Sequence, residues 1–174
     1  MANRPNGHRS TNIGVPIMSS GVSTSLSPAH VVARVCRASV SDAIAILSTP
    51  NGMSHWNLGL WNTRNADVTA GDEVIGSIVC GDSLFDGSIG YCGVSVRRAE
   101  GLVEYRIGRD PHALGAVRIT ARVTPGGPLG YDESCCLVAL LAWRPRDMTD
   151  ERWARLCATH ETEIELLRSQ LEQG

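Results

Sequence analysis

The sequence predicts an α+β domain, a curved antiparallel sheet closed by a long C-terminal helix. Three observations predict it. Five strand-like runs follow one another between about residues 73 and 144, separated by turn signals and not by helices. Two of these runs alternate apolar and charged residues, so that one face of the sheet is buried and the other meets water. The final segment repeats apolar residues at steps of three and four, the period of an amphipathic helix.

Taken in order, residues 1–27 are rich in Ser, Thr, Asn, Gly and Pro and read as a flexible leader, which leaves residues 28–174 as the domain. The stretch His30 to Ala38 is β-branched and roughly alternating, a first strand. Ser39 or Ser41 caps a short helix, Asp42 to Ser48, with Ala43, Ile44 and Leu47 on one side, and Pro50-Asn51-Gly52 ends it. Met53 to Trp61 reads as a helical turn feeding a strand. The five runs then are Glu73 to Cys80, Ser88 to Arg98, Leu102 to Arg109, Gly115 to Thr124 and Glu133 to Arg144. Their boundaries carry Gly, Asp and Pro signals such as Glu100-Gly101, Asp110-Pro111 and Pro125-Gly126-Gly127-Pro128.

Alternation assigns the faces. Val103, Tyr105 and Ile107 oppose Glu104 and Arg106, and Val117, Ile119, Ala121 and Val123 oppose Arg118, Thr120 and Arg122. The charged faces are expected to pair across the sheet, Glu104 with Arg118 or Arg122. In the last segment, Thr149 to Gln173, Trp153, Leu156, Cys157, His160, Ile164, Leu167 and Leu171 form the apolar stripe. A helix of that length reaches roughly 35 Å at 1.5 Å per residue. It has no helix of similar length to pack on, so its stripe is expected on the concave face of the sheet, with the interior between them.

Composition excludes several functions. A formal net charge of -2 gives no electrostatic reason for nucleic acid or an anionic membrane as partner. All basic side chains are arginines, so a Schiff-base lysine and a P-loop lysine are both excluded. The six cysteines contain no C-x-x-C pair, and neither a metal nor another cofactor is expected. The first residues lack the charged-apolar-small order of a signal peptide, so the chain is expected to be cytoplasmic with reduced thiols. No apolar run approaches the roughly 20 residues of a membrane span.

The element order, with VVARVCRASVSDAIAILSTPNGMSHWN near the start, LVEYRIGRDPHALGAVRITARVTPGG in the middle and ERWARLCATHETEIELLRSQLE at the end, resembles the START-like or SRPBCC superfamily, and most of all its polyketide cyclase/dehydratase-type members. The likeness covers about residues 29 to 173. It implies the helix-grip fold, with two short helices after the first strand, and a deep, mostly apolar cavity for a lipid, polyketide, aromatic or other hydrophobic small molecule. The C-x-H partner of the iron–sulfur module found in some larger members does not occur here.

Two functions follow as expectations. The first is a binding protein whose cavity holds a hydrophobic ligand. The second is a cyclase/dehydratase-type enzyme in which His160 and Tyr105 polarise a carbonyl and move a proton, with His55 as a further proton carrier. Trp56, Tyr91, Tyr105, Cys157 and His160 are the candidate ligand-contacting residues. For each, ordinary packing competes: a histidine satisfied by a backbone carbonyl, or a tyrosine with a hydrogen-bonded tip. Trp61 and Glu133 are candidates for the cavity rim. A third expectation, an interaction module with a filled core, is weakened by the aromatic content of four Trp, three Tyr and one Phe. A homodimer is compatible with the free strand edges.

Overall fold

The computed structural model describes residues 27–66, 77–83 and 86–173. Nearly all of the expected leader, and the first residues of the run expected from Glu73, lie outside the described residues. Strand β1 (Ala29–Cys36) is followed by helix α1 (Val40–Ser48), whose N-cap is Ser39: its hydroxyl accepts from the Asp42 amide at 3.1 Å. Pro50-Asn51-Gly52 does not simply end this helix. Thr49 caps a second short helix, α2 (Pro50–Met53), in which Pro50 occupies a first-turn position where no amide is needed.

The sheet then runs as a meander through β2 (Trp61–Asn65), β3 (Ser77–Asp82), β4 (Ile89–Arg97), β5 (Leu102–Gly108), β6 (Val117–Pro125) and β7 (Cys136–Trp143). Its strand order is β1-β7-β6-β5-β4-β3-β2, antiparallel throughout. Helix α3 (Asp150–Glu172) closes the fold, capped by Thr149 and carrying Asp150 and Glu151 at its positive end. This is the helix-grip arrangement. The helix lies nearest β1, with β7 and α1 as further neighbours. Ala43, Ile44 and Leu47 of α1 join Val103, Val123, Val138, Leu140, Ile164 and Leu167 in one buried cluster.

Two details of register change the expected faces. Tyr105 stands opposite Ile119 while Arg106 stands opposite Val117, so β6 carries one extra residue, Arg118, at a bulge. Strict alternation would have sent Arg118 to the convex face. The bulge brings it to the concave side beside Ile119. The expected pairing of Glu104 with Arg118 or Arg122 is therefore corrected: Glu104 stands opposite Thr120 and its carboxylate binds Arg97 at 3.1 Å. Among the described residues, no helix is long and apolar enough to cross a membrane.

Candidate functional site: a cavity between sheet and helix

The concave face and α3 enclose a cavity of about 590 Å³, within the size range of small-molecule sites. Burial divides its wall. Trp56, Leu60, Cys92, Tyr105, Leu140, His160 and Glu163 are buried and form the inner end. Ile107, Arg109, Trp143, Arg152 and Arg155 are exposed and form the mouth. Gly90 keeps the inner end open beside Leu60, whose Cδ2 would stand 2.7 Å from a Cβ at that position.

The expected residues separate into three groups. Trp56, Tyr105 and His160 come together on the cavity wall. Both aromatic donors are already used, however, because the Tyr105 hydroxyl donates to the Leu47 carbonyl at 2.8 Å and the Trp56 indole N–H to the Ile46 carbonyl at 3.2 Å. These are carbonyls of the last turn of α1, which a helix cannot satisfy internally. The two rings meet edge to face at 6.3 Å and present apolar surface to the cavity. Burial also drives the Tyr105 phenol well above its ordinary pKa, so it stays protonated.

Tyr91 and Cys157 do not line this cavity. On β4 the inward positions are Gly90 and Cys92, so alternation turns Tyr91 to the other face. Cys157 lies on the flank of α3 toward β1, lining a second hollow with His30 and Trp153. It stands at C-x-x-H spacing from His160, yet no group of three potential metal ligands converges among the described residues. His55 and Glu133 are exposed, and Trp61 is 38% exposed.

The residues that sequence reasoning missed are Glu163, Arg118 and Arg152. Glu163 is 5% exposed and one turn beyond His160 on the buried stripe of α3. Its Oε1 accepts from the Leu58 amide at 2.8 Å and the Gly59 amide at 3.4 Å, which ties the helix to the loop roofing the cavity. Burial raises its carboxyl to about 7 despite these two donors. His160 is 2% exposed and its Nδ1 has no hydrogen-bond partner. Burial, with a smaller contribution from His30, lowers its imidazole to about 4. At neutral pH the imidazole is thus uncharged, and the 3.8 Å between its Nε2 and Glu163 Oε2 is a contact between cavity groups and neither a hydrogen bond nor an ion pair.

At the mouth, the Arg118 guanidinium is partly buried, and its pKa is lowered by burial and by the neighbouring Arg152. Arg109 binds Asp86 at 2.7 Å and Arg155 binds Glu151 at 2.8 Å. Arg144 is engaged by Asp150 and the Met148 carbonyl.

Comparison with known proteins rests on structure, since no family model and no curated protein matches the sequence. A START superfamily protein from Mycobacterium smegmatis superposes with a TM-score of 0.59 at 14% identity, over 83% of this chain and 97% of that one. The fold is START-like. The Zhui aromatase/cyclase from a Streptomyces strain superposes on this chain with a TM-score of 0.57 at 10% identity, over 82% of this chain and 92% of the other. The Aha1 dimer from Colwellia psychrerythraea gives 0.54 at 17% identity, over 83% and 96%. At these identities the START-like fold is what is shared.

Proposed function

We propose that this START-like protein binds a hydrophobic small molecule, a lipid, polyketide or aromatic, between the sheet and α3. The observation that carries this reading is the cavity of about 590 Å³ whose inner wall is made by Trp56, Leu60, Cys92, Tyr105 and Leu140, with the polar tip of Tyr105 spent on the backbone. A domain with a filled core would close that space, because voids lose dispersion contacts and apolar burial. We place the protein in the cytoplasm, a reducing setting in which its six cysteines would remain thiols.

Native mass spectrometry before and after denaturing extraction tests the reading. The expected result is a discrete apolar mass carried by the folded protein and released on denaturation. An empty protein whose melting temperature does not move with fatty acids, polyketides or aromatics would overturn it.

A second reading, a polyketide cyclase/dehydratase-type enzyme, is favoured by the approach of Glu163 and His160 at the inner end of the cavity. A carboxyl near neutrality is present in both forms and can take a proton from carbon and return it to oxygen, while the neutral imidazole hydrogen-bonds the ligand, and general acid–base groups contribute roughly 10²–10⁴-fold. Tyr105 serves in this reading as wall. Turnover of a linear poly-β-ketone mimic that falls about a hundredfold or more in both Glu163→Gln and His160→Asn would support it. Binding of the mimic without conversion would discard it.

A further inference from the structure

Five arginines stand on or beside the cavity mouth, and three of them are neutralised: Arg109 by Asp86, Arg155 by Glu151 and Arg144 by Asp150. Arg118 and Arg152 differ. Among the described residues, neither guanidinium makes a hydrogen bond or an ion pair, and both line the cavity. Asp147, exposed on the turn before α3, attracts Arg118, but burial and the repulsion of Arg152 outweigh it.

Both placements are unfavourable for the protein alone. Arg118 reaches the concave side only because β6 has a bulge there, and it faces another cation in a partly buried setting. Arg152 sits in the first turn of α3, where the helix dipole disfavours a positive charge. Two such neighbouring cations, neither bonded to an acid among the described residues, gain most from a group that carries negative charge and accepts hydrogen bonds from planar guanidinium forks.

We propose that the ligand is an amphipathic anion, whose carboxylate or phosphate is held by Arg118 and Arg152 at the mouth while its apolar body fills the interior. This rests on the cavity being a hydrophobic binding site and adds the class of ligand. The guanidinium pair fixes which end enters last: the tail passes Leu140 and Ile119 toward Trp56 and Tyr105, and the head remains at the entrance. A neutral molecule of the same shape leaves both cations unpaired and forfeits the charge-assisted bonds.

The test compares dodecanoate, dodecyl phosphate and dodecan-1-ol by calorimetric titration below their micellar concentrations, on the wild type and on the double variant Arg118→Gln, Arg152→Gln. At least one anion is expected to bind about tenfold or more tightly than the alcohol to the wild type. In the double variant that preference is expected to fall below about twofold with the alcohol unchanged. The ratio of the two anions separates a carboxylate from a phosphate ligand. An alcohol that binds the wild type as tightly as both anions overturns the anion proposal and leaves the hydrophobic cavity standing. An anion preference that survives in the double variant, or in the single variants Arg118→Gln and Arg152→Gln if the double does not fold, overturns the assignment to these residues. If none of the three binds, the anion proposal falls, and the co-purified mass with the fatty-acid, polyketide and aromatic panel decides the reading beneath it separately.

Discussion

The stability difference between the wild type and Glu163→Gln is expected to fall by about 3 kcal/mol as pH rises from 4.5 to 7. Burial raises the carboxyl from 4.5 to about 7 in the folded protein. Between these values the folded state holds a proton that the unfolded state has lost, so stability is full below pH 4.5 and declines as pH climbs through the folded pKa. Glutamine is uncharged throughout and has no such decline. His160 works in the opposite direction. Its folded pKa of about 4 lies below the ordinary 6.5, so the stability it contributes is present above 6.5 and lost as pH falls toward 4. The difference between wild type and His160→Asn therefore rises over that window by a similar amount.

In the wild type the two slopes nearly cancel between about pH 4.5 and 6.5, and each single variant unmasks the other. Urea unfolding at half-unit pH steps measures this. Taking differences removes every group the two proteins share, including acid-sensitive surface pairs such as Asp86 with Arg109. A difference that stays flat for Glu163→Gln would mean that water reaches the carboxyl and that the inner end of the cavity is wetter than its burial states.

The second large effect is steric. Gly101, at the turn into β5, has φ of 62°, and a Cβ there would stand 2.1 Å from the Val123 carbonyl oxygen. That oxygen belongs to the residue whose amide donates to the Gly101 carbonyl at 2.7 Å, so the clash falls on a pairing contact between β5 and β6. Gly101→Ala is expected to cost about 3–5 kcal/mol, of which only about 1–2 comes from placing an alanine in the left-handed region. Gly130→Ala supplies the comparison, because Gly130 has φ of 82° and nothing within 4 Å of its would-be Cβ. It carries the conformational cost alone. Urea midpoints with unchanged slopes separate the two. Equal losses in the two variants would show that the β5–β6 corner yields without strain.

These cases mark what a sequence can reveal. The period-two alternation of Leu102–Gly108 and Val117–Pro125 made the buried face legible, and the three- and four-residue steps of α3 made the closing helix legible, because side-chain periodicity is a local property. A bulge is a property of two strands together. No feature of β6 alone separates Arg118 from Arg122, and only the offset against β5 carries Arg118 inward. Glu163 was hidden for another reason. It occupies the stripe between His160 and Leu167, but an acid on a helix with exposed Glu161 and Glu165 reads as solvated until the Leu58 and Gly59 amides are found above it. The inward face of Tyr105 follows from the alternation of β5, but its hydroxyl's partner, the Leu47 carbonyl of α1, lies on another element and cannot be read from β5.

The strand order has a bearing on how this protein is made. β1 is among the first described elements to leave the ribosome, yet among the described residues its one neighbour in the sheet is β7, with about a hundred residues between Cys36 and its partner Cys136. Until β7 has emerged, β1 can pair with nothing native, while β3 to β6 zip up locally as hairpins. The pairing of β1 with β7 is therefore a long-range closure, slow because its loop entropy is paid before the contact forms. During that wait a β-branched strand with Val31, Val32 and Val35 stands unpaired, the segment of the nascent chain most exposed to pairing with a second copy of itself.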